Sequence, residues 1–126
     1  MVFEHFALNV ADVEAVSTWY CTHLGLSIAS QQKEKPYMTF LADGSGRVIM
    51  EFYSRDDAPM LEFAQVHPLT FHVAFVSEDA ETDKKRLQAA GAHFVEDIHK
   101  EDGSHLVMLR DPWGMPLQLC QRAKKY

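Results

Sequence analysis

His5, Glu51, His72 and Gln118 stand at two repeated spacings. His72 follows His5 by 67 residues and Gln118 follows Glu51 by the same 67, so each half of the chain carries a His and, 46 residues later, an oxygen-bearing side chain. Two imidazole nitrogens, one carboxylate oxygen and one amide oxygen make a borderline-to-hard donor set suited to Zn, Ni, Co, Fe or Mn, with positions left for water or a substrate. A cation held this way grips two neighbouring substrate oxygens and stabilises the oxyanion formed when a nearby C–H proton leaves. Such chemistry needs a base, and Glu51 is the lone carboxylate of the set. Taken singly, a His on a half-buried strand is most often structural or solvent-facing, and a Glu in a strand is usually surface. Four residues at matched spacings are harder to assign to coincidence.

The surrounding sequence repeats as well, which identifies the unit that must position the four groups. Phe3 to Val10 alternates around His5 and Phe71 to Val76 around His72, each ahead of a helical pattern. Asp12 and Asp79, also 67 apart, are placed as N-caps, and Gly25 and Gly91 suit the left-handed residue that ends a helix. The periodicity predicts helices from about Asp12 to Leu24 and Asp79 to Ala90. Val16, Trp19, Tyr20 and Leu24 form the sheet-covering stripe of the first. Strands are expected near 26–31, 37–41 and 47–53, then 93–98, 105–109 and 115–121, with turns at Asp43-Gly44-Ser45-Gly46 and Asp111-Pro112-Trp113-Gly114. Because side chains alternate across a strand, the four polar groups occupy the face that the helices leave open. If each half curves and the halves pair through their first and last strands, the four converge in one cup.

One domain fits a chain of 126 residues, divided into a first module of about 1–56, a connection of about 57–68 and a second module of about 69–126. A hydrophobic fraction of 47% with 24% charged residues excludes disorder as the main state. The formal charge of −6, with no basic and aromatic cluster, argues against nucleic acid. No apolar run is long enough to span a bilayer and no leader pattern opens the chain, so a cytoplasmic protein is expected. Cys21 and Cys120 are too few for a disulfide scaffold.

With the repeat, the His5 strand, Trp19-Tyr20 to His23-Leu24-Gly25-Leu26, the Glu51 strand, the His72 strand and Asp111-Pro112-Trp113-Gly114 leading to Gln118, the chain resembles the vicinal oxygen chelate superfamily. That superfamily includes glyoxalase I, methylmalonyl-CoA epimerase, fosfomycin-resistance enzymes, extradiol dioxygenases and bleomycin-resistance proteins. The resemblance covers nearly the whole chain. It implies an α+β fold of two paired βαβββ modules, forming a curved mixed sheet around a cup-shaped site. His5, Glu51, His72 and Gln118 fall on the positions that supply metal ligands in glyoxalase I-like members, the match being to the bacterial type with Glu in place of Gln118. The implied activity is that of a divalent-metal-dependent lyase or isomerase acting on vicinal oxygens through a metal-stabilised enediolate, with Glu51 as base. Homodimers are common in the superfamily, and some build each cup from two chains.

The resemblance is weaker on its glutathione side. Asn9 stands where bacterial glyoxalase I tends to have an Arg that helps hold the peptide carboxylates, and Arg55 stands where an Asn is usual. Arg47, Arg55 and Arg110 are able to hold an anionic substrate, although each is more often a surface charge. Tyr37, Met38, Met50, Tyr53, Met108 and Trp113 include pocket residues among others that belong to the core, and Cys120 shares a strand face with Gln118. His23 suits the end of the first helix, while His67, His93, His99 and His105 fall in loops or strand edges, with 99–105 as an alternative lip over the cup. Asp83 to Arg86 reads as a solvated helix face. Two rival functions follow from the same superfamily: a metal-free protein that sequesters a drug or metabolite, and ring cleavage with dioxygen by a two-His, one-carboxylate set.

Overall fold

Asp12 and Asp79 start the two helices as the sequence predicts. The Asp12 carboxylate accepts from the Ala15 backbone N–H and that of Asp79 from Thr82, so each satisfies an amide that the first helical turn leaves without a partner. The helices are α1 (Val13–Leu24) and α2 (Ala80–Ala89). Gly25, at φ 71°, closes α1 in the left-handed region where a Cβ is strained.

The computed structural model describes residues 1–126, which divide into two compact units, Met1–Leu61 and Glu62–Tyr126. The first contains β1 (Phe6–Asn9), α1, β2 (Ser27–Gln31), β3 (Thr39–Ala42) and β4 (Val48–Tyr53). The second repeats this order with β5 (Val73–Val76), α2, β6 (His93–His99), β7 (His105–Arg110) and β8 (Pro116–Gln121), after a short 3-10 turn at Phe63–Gln65. The architecture is α+β, with two mixed four-stranded sheets of order β1-β4-β3-β2 and β5-β8-β7-β6. In each sheet the first strand runs parallel to the last and the other pairs are antiparallel. The outer strands β2 and β6 both carry a register shift, between Ile28 and Ser30 and between Phe94 and Glu96, a bulge of the kind that blunts an exposed edge.

Alternation sorts each sheet into two faces. In the first unit Leu8, Thr39, Leu41, Met50 and Phe52 are buried on the side that α1 covers, where the Tyr20 ring meets Phe52 at 5.5 Å between centroids. Each large apolar side chain buried this way contributes about 1.5–3 kcal/mol. Val107, Leu109, Leu117 and Leu119 play the same part in the second unit, with Leu87 of α2 buried above the sheet. Met50 therefore belongs to the core. Tyr37 and Trp113, also read as pocket or core residues, are exposed.

The strands of His5 and His72 begin three and two residues later than the alternation from Phe3 and Phe71 predicts. Pairing starts at Phe6 with Met50 and at Val73 with Leu117, so both imidazoles are carried by the residue just ahead of a strand.

The turn at Asp111–Gly114 explains its own composition. Asp111 is 1% exposed and its Oδ1 accepts from the backbone N–H groups of Trp113 and Met115, both at 2.9 Å. Gly114 has φ 92°, and a Cβ added there would lie 2.8 Å from the backbone N of Ala64. Gly114→Ala is expected to lower the unfolding free energy by about 3 kcal/mol, the left-handed penalty plus overpacking against backbone, read from the urea midpoint at constant m-value. A second test concerns the cap of α2. Bonds from the Thr82 backbone N–H and hydroxyl hold the Asp79 carboxyl below its ordinary value. A lowered folded pKa gives stability that is complete above the ordinary carboxylate range and lost as pH falls through the folded value. Asp79→Asn, which caps without titrating, is expected to show a shallower loss of stability with acid than the parent.

Candidate metal centre

Parallel pairing of β1 with β4 sets Ala7 beside Glu51, and β3 places Phe40 on the other side of Glu51 in the same row. This row lies on the face opposite Phe52 and α1, as the alternation of β4 requires. Glu51 is 7% exposed, and its Oε2 lies 3.1 Å from Nε2 of His5. A carboxylate that has left water needs a partner, and the imidazole supplies one. The His5 ring also meets Phe40 edge-on at 5.3 Å, and Glu4 lies at its other nitrogen, Nδ1. Two bonds of about 2.1 Å meeting at a right angle put their donors about 3.0 Å apart. The His5 and Glu51 atoms thus fit adjacent positions on one cation as well as they fit a hydrogen bond.

Glu51 opens onto a cleft of about 300 Å³ bounded by Pro36, Met38, Tyr53, Arg55 and Ala58. Met38 and Tyr53 are pocket residues that the sequence already indicates, whereas Pro36 and Ala58 come from chain segments without periodic pattern. The cleft combines apolar walls with a single buried carboxylate, a composition that suits a small organic molecule.

In the second unit the equivalent pairing puts Ala74 beside Gln118, with Met108 on its other side. His72 precedes β5, and its Nδ1 lies 2.8 Å from the Pro68 carbonyl oxygen. A carbonyl only accepts, so Nδ1 carries the proton and Nε2 keeps its lone pair for a cation, which is how ligating imidazoles are commonly oriented. Gln118 accepts at Oε1 from the Cys120 thiol at 3.3 Å, on the face the two share. Burial pushes the Cys120 thiol above its ordinary pKa, which keeps it a weak donor and not a nucleophile. His5 and Glu51 thus meet within the first unit, and His72 and Gln118 take the equivalent places in the second.

The arginines serve the fold. Arg55 donates from Nε and Nη2 to the two oxygens of Asp57, at 2.8 and 2.5 Å. Its backbone is held by Asn9, whose Oδ1 accepts from Arg55 N and whose Nδ2 donates to the carbonyls of Arg55 and Ala58. Arg110 donates to the carbonyls of Phe63, Val66 and Gly114 at 2.9–3.1 Å, and Arg47 donates to the carbonyl of Phe3. Asn9 and Arg55 therefore form one clamp on the loop after β4.

The sequence reading missed a cluster on the second unit. His105, expected at a solvated edge, is 7% exposed, and its Nε2 lies 2.5 Å from Asp97 Oδ1. Lys84, expected on a solvated helix face, reaches Asp97 Oδ2 at 2.7 Å. The 99–105 segment is a tight hairpin with Lys100 N donating to Ser104 O, which fixes it as part of the sheet. The available signal was the i, i+2 spacing of Asp97 and His99 facing His105 across a short turn.

Residues 2–119 match the sequence model of the family described as the Glyoxalase/Bleomycin resistance protein/Dioxygenase superfamily. No curated protein matches the chain by sequence. Among solved structures, lactoylglutathione lyase from Agrobacterium tumefaciens is similar at TM-score 0.66 and 21% identity, over 94% of this chain and 92% of that one. The bleomycin resistance determinant encoded on transposon Tn5 aligns at TM-score 0.61 and 17% identity, over 98% and 100%. TnmS3, an antibiotic binding protein from Streptomyces sp. CB03234, aligns at 0.69 and 17%, over 95% and 94%. At these identities the likeness is one of fold.

The Pro68 contact makes a prediction about His72 that needs no ligand. In metal-free protein the neutral His72 ring is expected as the Nδ1–H tautomer, visible in long-range ¹H–¹⁵N correlation spectra. An Nε2–H tautomer in the neutral ring would contradict the orientation.

Proposed function

The chain belongs to the Glyoxalase/Bleomycin resistance protein/Dioxygenase superfamily, and from that footing we propose that it is a divalent-metal-dependent lyase or isomerase of the glyoxalase I type. Its substrate is a small molecule with two adjacent oxygens. The ligands are His5 and Glu51 from the first unit with His72 and Gln118 from the second, drawn from the same chain or from a partner copy in a homodimer. When bound, the metal supplies Lewis-acid stabilisation of negative charge on the substrate oxygens.

The single observation that carries this reading is the His5–Glu51 pair, a buried carboxylate 3.1 Å from an imidazole nitrogen and facing a cleft. Glu51 is the only carboxylate of the four, so it is the group that accepts the C–H proton and returns it to the neighbouring carbon. His5, 3.1 Å away, steadies the carboxylate. His72 and Gln118 act as neutral donors, and the amide at Gln118 leaves Glu51 as the only base among the four. Pro36, Met38 and Tyr53 limit water around the base. Arg55, occupied by Asp57, offers no free fork to a substrate carboxylate, which favours a substrate held by its vicinal oxygens over one held by distant anionic groups.

A second reading is metal-free sequestration of a drug or metabolite, favoured by the apolar walls of the cleft beside Glu51. One experiment separates the two. Metal is measured in untagged protein purified without chelator, beside a His5→Ala, His72→Ala double variant and Glu51→Gln. The expected outcome is about one more equivalent of metal in the parent than in the double variant. In a screen of 2-oxoaldehyde adducts and other vicinal-oxygen substrates, Glu51→Gln is expected to reduce turnover by about 10²-fold or more, the usual worth of a general base. A Glu51→Gln protein with full turnover overturns Glu51 as the base. A parent that carries no more metal than the double variant after incubation with Ni, Co, Zn, Fe or Mn overturns the enzyme reading in favour of sequestration, and metal-dependent oxygen uptake would assign the ring-cleaving branch.

A further inference from the structure

At the closed end of the β6–β7 hairpin Asp97, His99 and His105 each offer one potential ligand atom, and these atoms all lie within 4.8 Å of one another. The pairing brings them together. His99 is the cross-strand partner of His105, and Asp97, two residues before His99, shares their face. The turn is fixed by Lys100 N donating to Ser104 O at 2.9 Å and Ser104 N to Asp102 Oδ1 at 2.8 Å. The cluster is separate from Gln118. Met108 stands beside Gln118 in the register, and His105, three residues earlier on the same strand, points to the opposite face, where Lys84 of α2 arrives.

We propose that Asp97, His99 and His105 form a second divalent-metal site, suited to Zn²⁺ or a similar borderline cation, that clips the edge strand β6 to β7. Two imidazoles and one carboxylate are the donor types such a cation prefers, and the exposure of His99 leaves room for water on the remaining positions. His105 Nε2 and Asp97 Oδ1 are 2.5 Å apart, at hydrogen-bond distance. Donors on one cation with bonds of about 2.1 Å sit roughly 3 Å or more apart, so the cation takes the place of the hydrogen bond after a small outward shift of the two groups. The His99 ring is stacked on His105 with centroids 4.1 Å apart and planes 17° apart, so the in-plane lone pairs of both rings can point the same way. Lys84 holds Oδ2 of Asp97 and leaves Oδ1 for the cation. Its charge opposes a dication, so removing it should tighten binding, whereas in a purely structural His–Asp–Lys network its removal would only loosen the hairpin.

The test uses the intact protein in the His5→Ala, His72→Ala background, stripped with chelator and titrated with Zn²⁺ by calorimetry, with elemental analysis after gel filtration. One equivalent of Zn²⁺ is expected to remain bound, to raise the melting temperature, and to be lost on adding His99→Ala or His99→Gln, which change an exposed side chain. Lys84→Met in the same background is expected to retain the equivalent with a lower dissociation constant. A background protein that binds no Zn²⁺, or a His99 variant that binds as before, overturns the proposal. Failure of the enzyme reading has a different signature: a parent that carries no more metal than the His5→Ala, His72→Ala protein.

Discussion

Everything near Glu51 and Gln118 depends on the parallel pairing of the first strand of each unit with its last. Parallel neighbours cannot be joined by a tight turn, so the intervening chain must make a crossover, and here it is a helix followed by two further strands. The crossover returns the last strand beside the first with its register fixed: Ala7 against Glu51, Ala74 against Gln118. Each polar group is then one pleat away from the residue that carries the imidazole. A slip of one residue would turn Glu51 toward α1 and bring Phe52 to the open face, exchanging a buried aromatic for a buried charge. Burial of Phe52, Met50 and Leu41 beneath Tyr20 therefore also fixes the side on which the carboxylate stands.

The same division of faces accounts for the uses of the other polar side chains. Asn9, Arg55 and Asp57 secure the loop after β4, and Arg110 ties the segment before β5 to the Asp111 turn. Side chains that satisfy main-chain carbonyls in this way are committed before any ligand arrives, since withdrawing them would leave acceptors unpaired. That leaves the cleft at Glu51 with the carboxylate facing Pro36, Met38, Tyr53 and Ala58, beside an Arg55 already paired with Asp57. A carboxylate that has left water in this way needs a partner, which His5 supplies.

The two units are copies in topology that differ in charge. The first carries the carboxylate of the repeated set, the second an amide, and the second has in addition the Lys84–Asp97–His105 network on its helix-covered side. Both units keep what the backbone needs: the Asp caps, the bulges on β2 and β6, and the crossover. The side chains on the two faces were free to diverge because alternation decouples them from the core.

The α+β repeat was legible in the sequence because its signals are local. Asp12 and Asp79 cap through contacts three residues away, Gly25 and Gly114 are demanded by positive φ, and alternation over four to six residues separates the faces of β4 and β8. The repeat itself turned weak single-residue signals into a shared one, which is why His5, Glu51, His72 and Gln118 stood out. Tertiary structure alone decided what depends on partners distant in the chain. It determined that the strands start just after His5 and His72, where pairing begins, and that the Pro68 carbonyl fixes the His72 tautomer. It committed Arg55 to Asp57 and Arg110 to main-chain carbonyls, and it buried His105 against Asp97, which Lys84 also reaches. A sequence pattern specifies which way a side chain faces. Which group it meets there depends on distances set by the register of strands and the placement of helices.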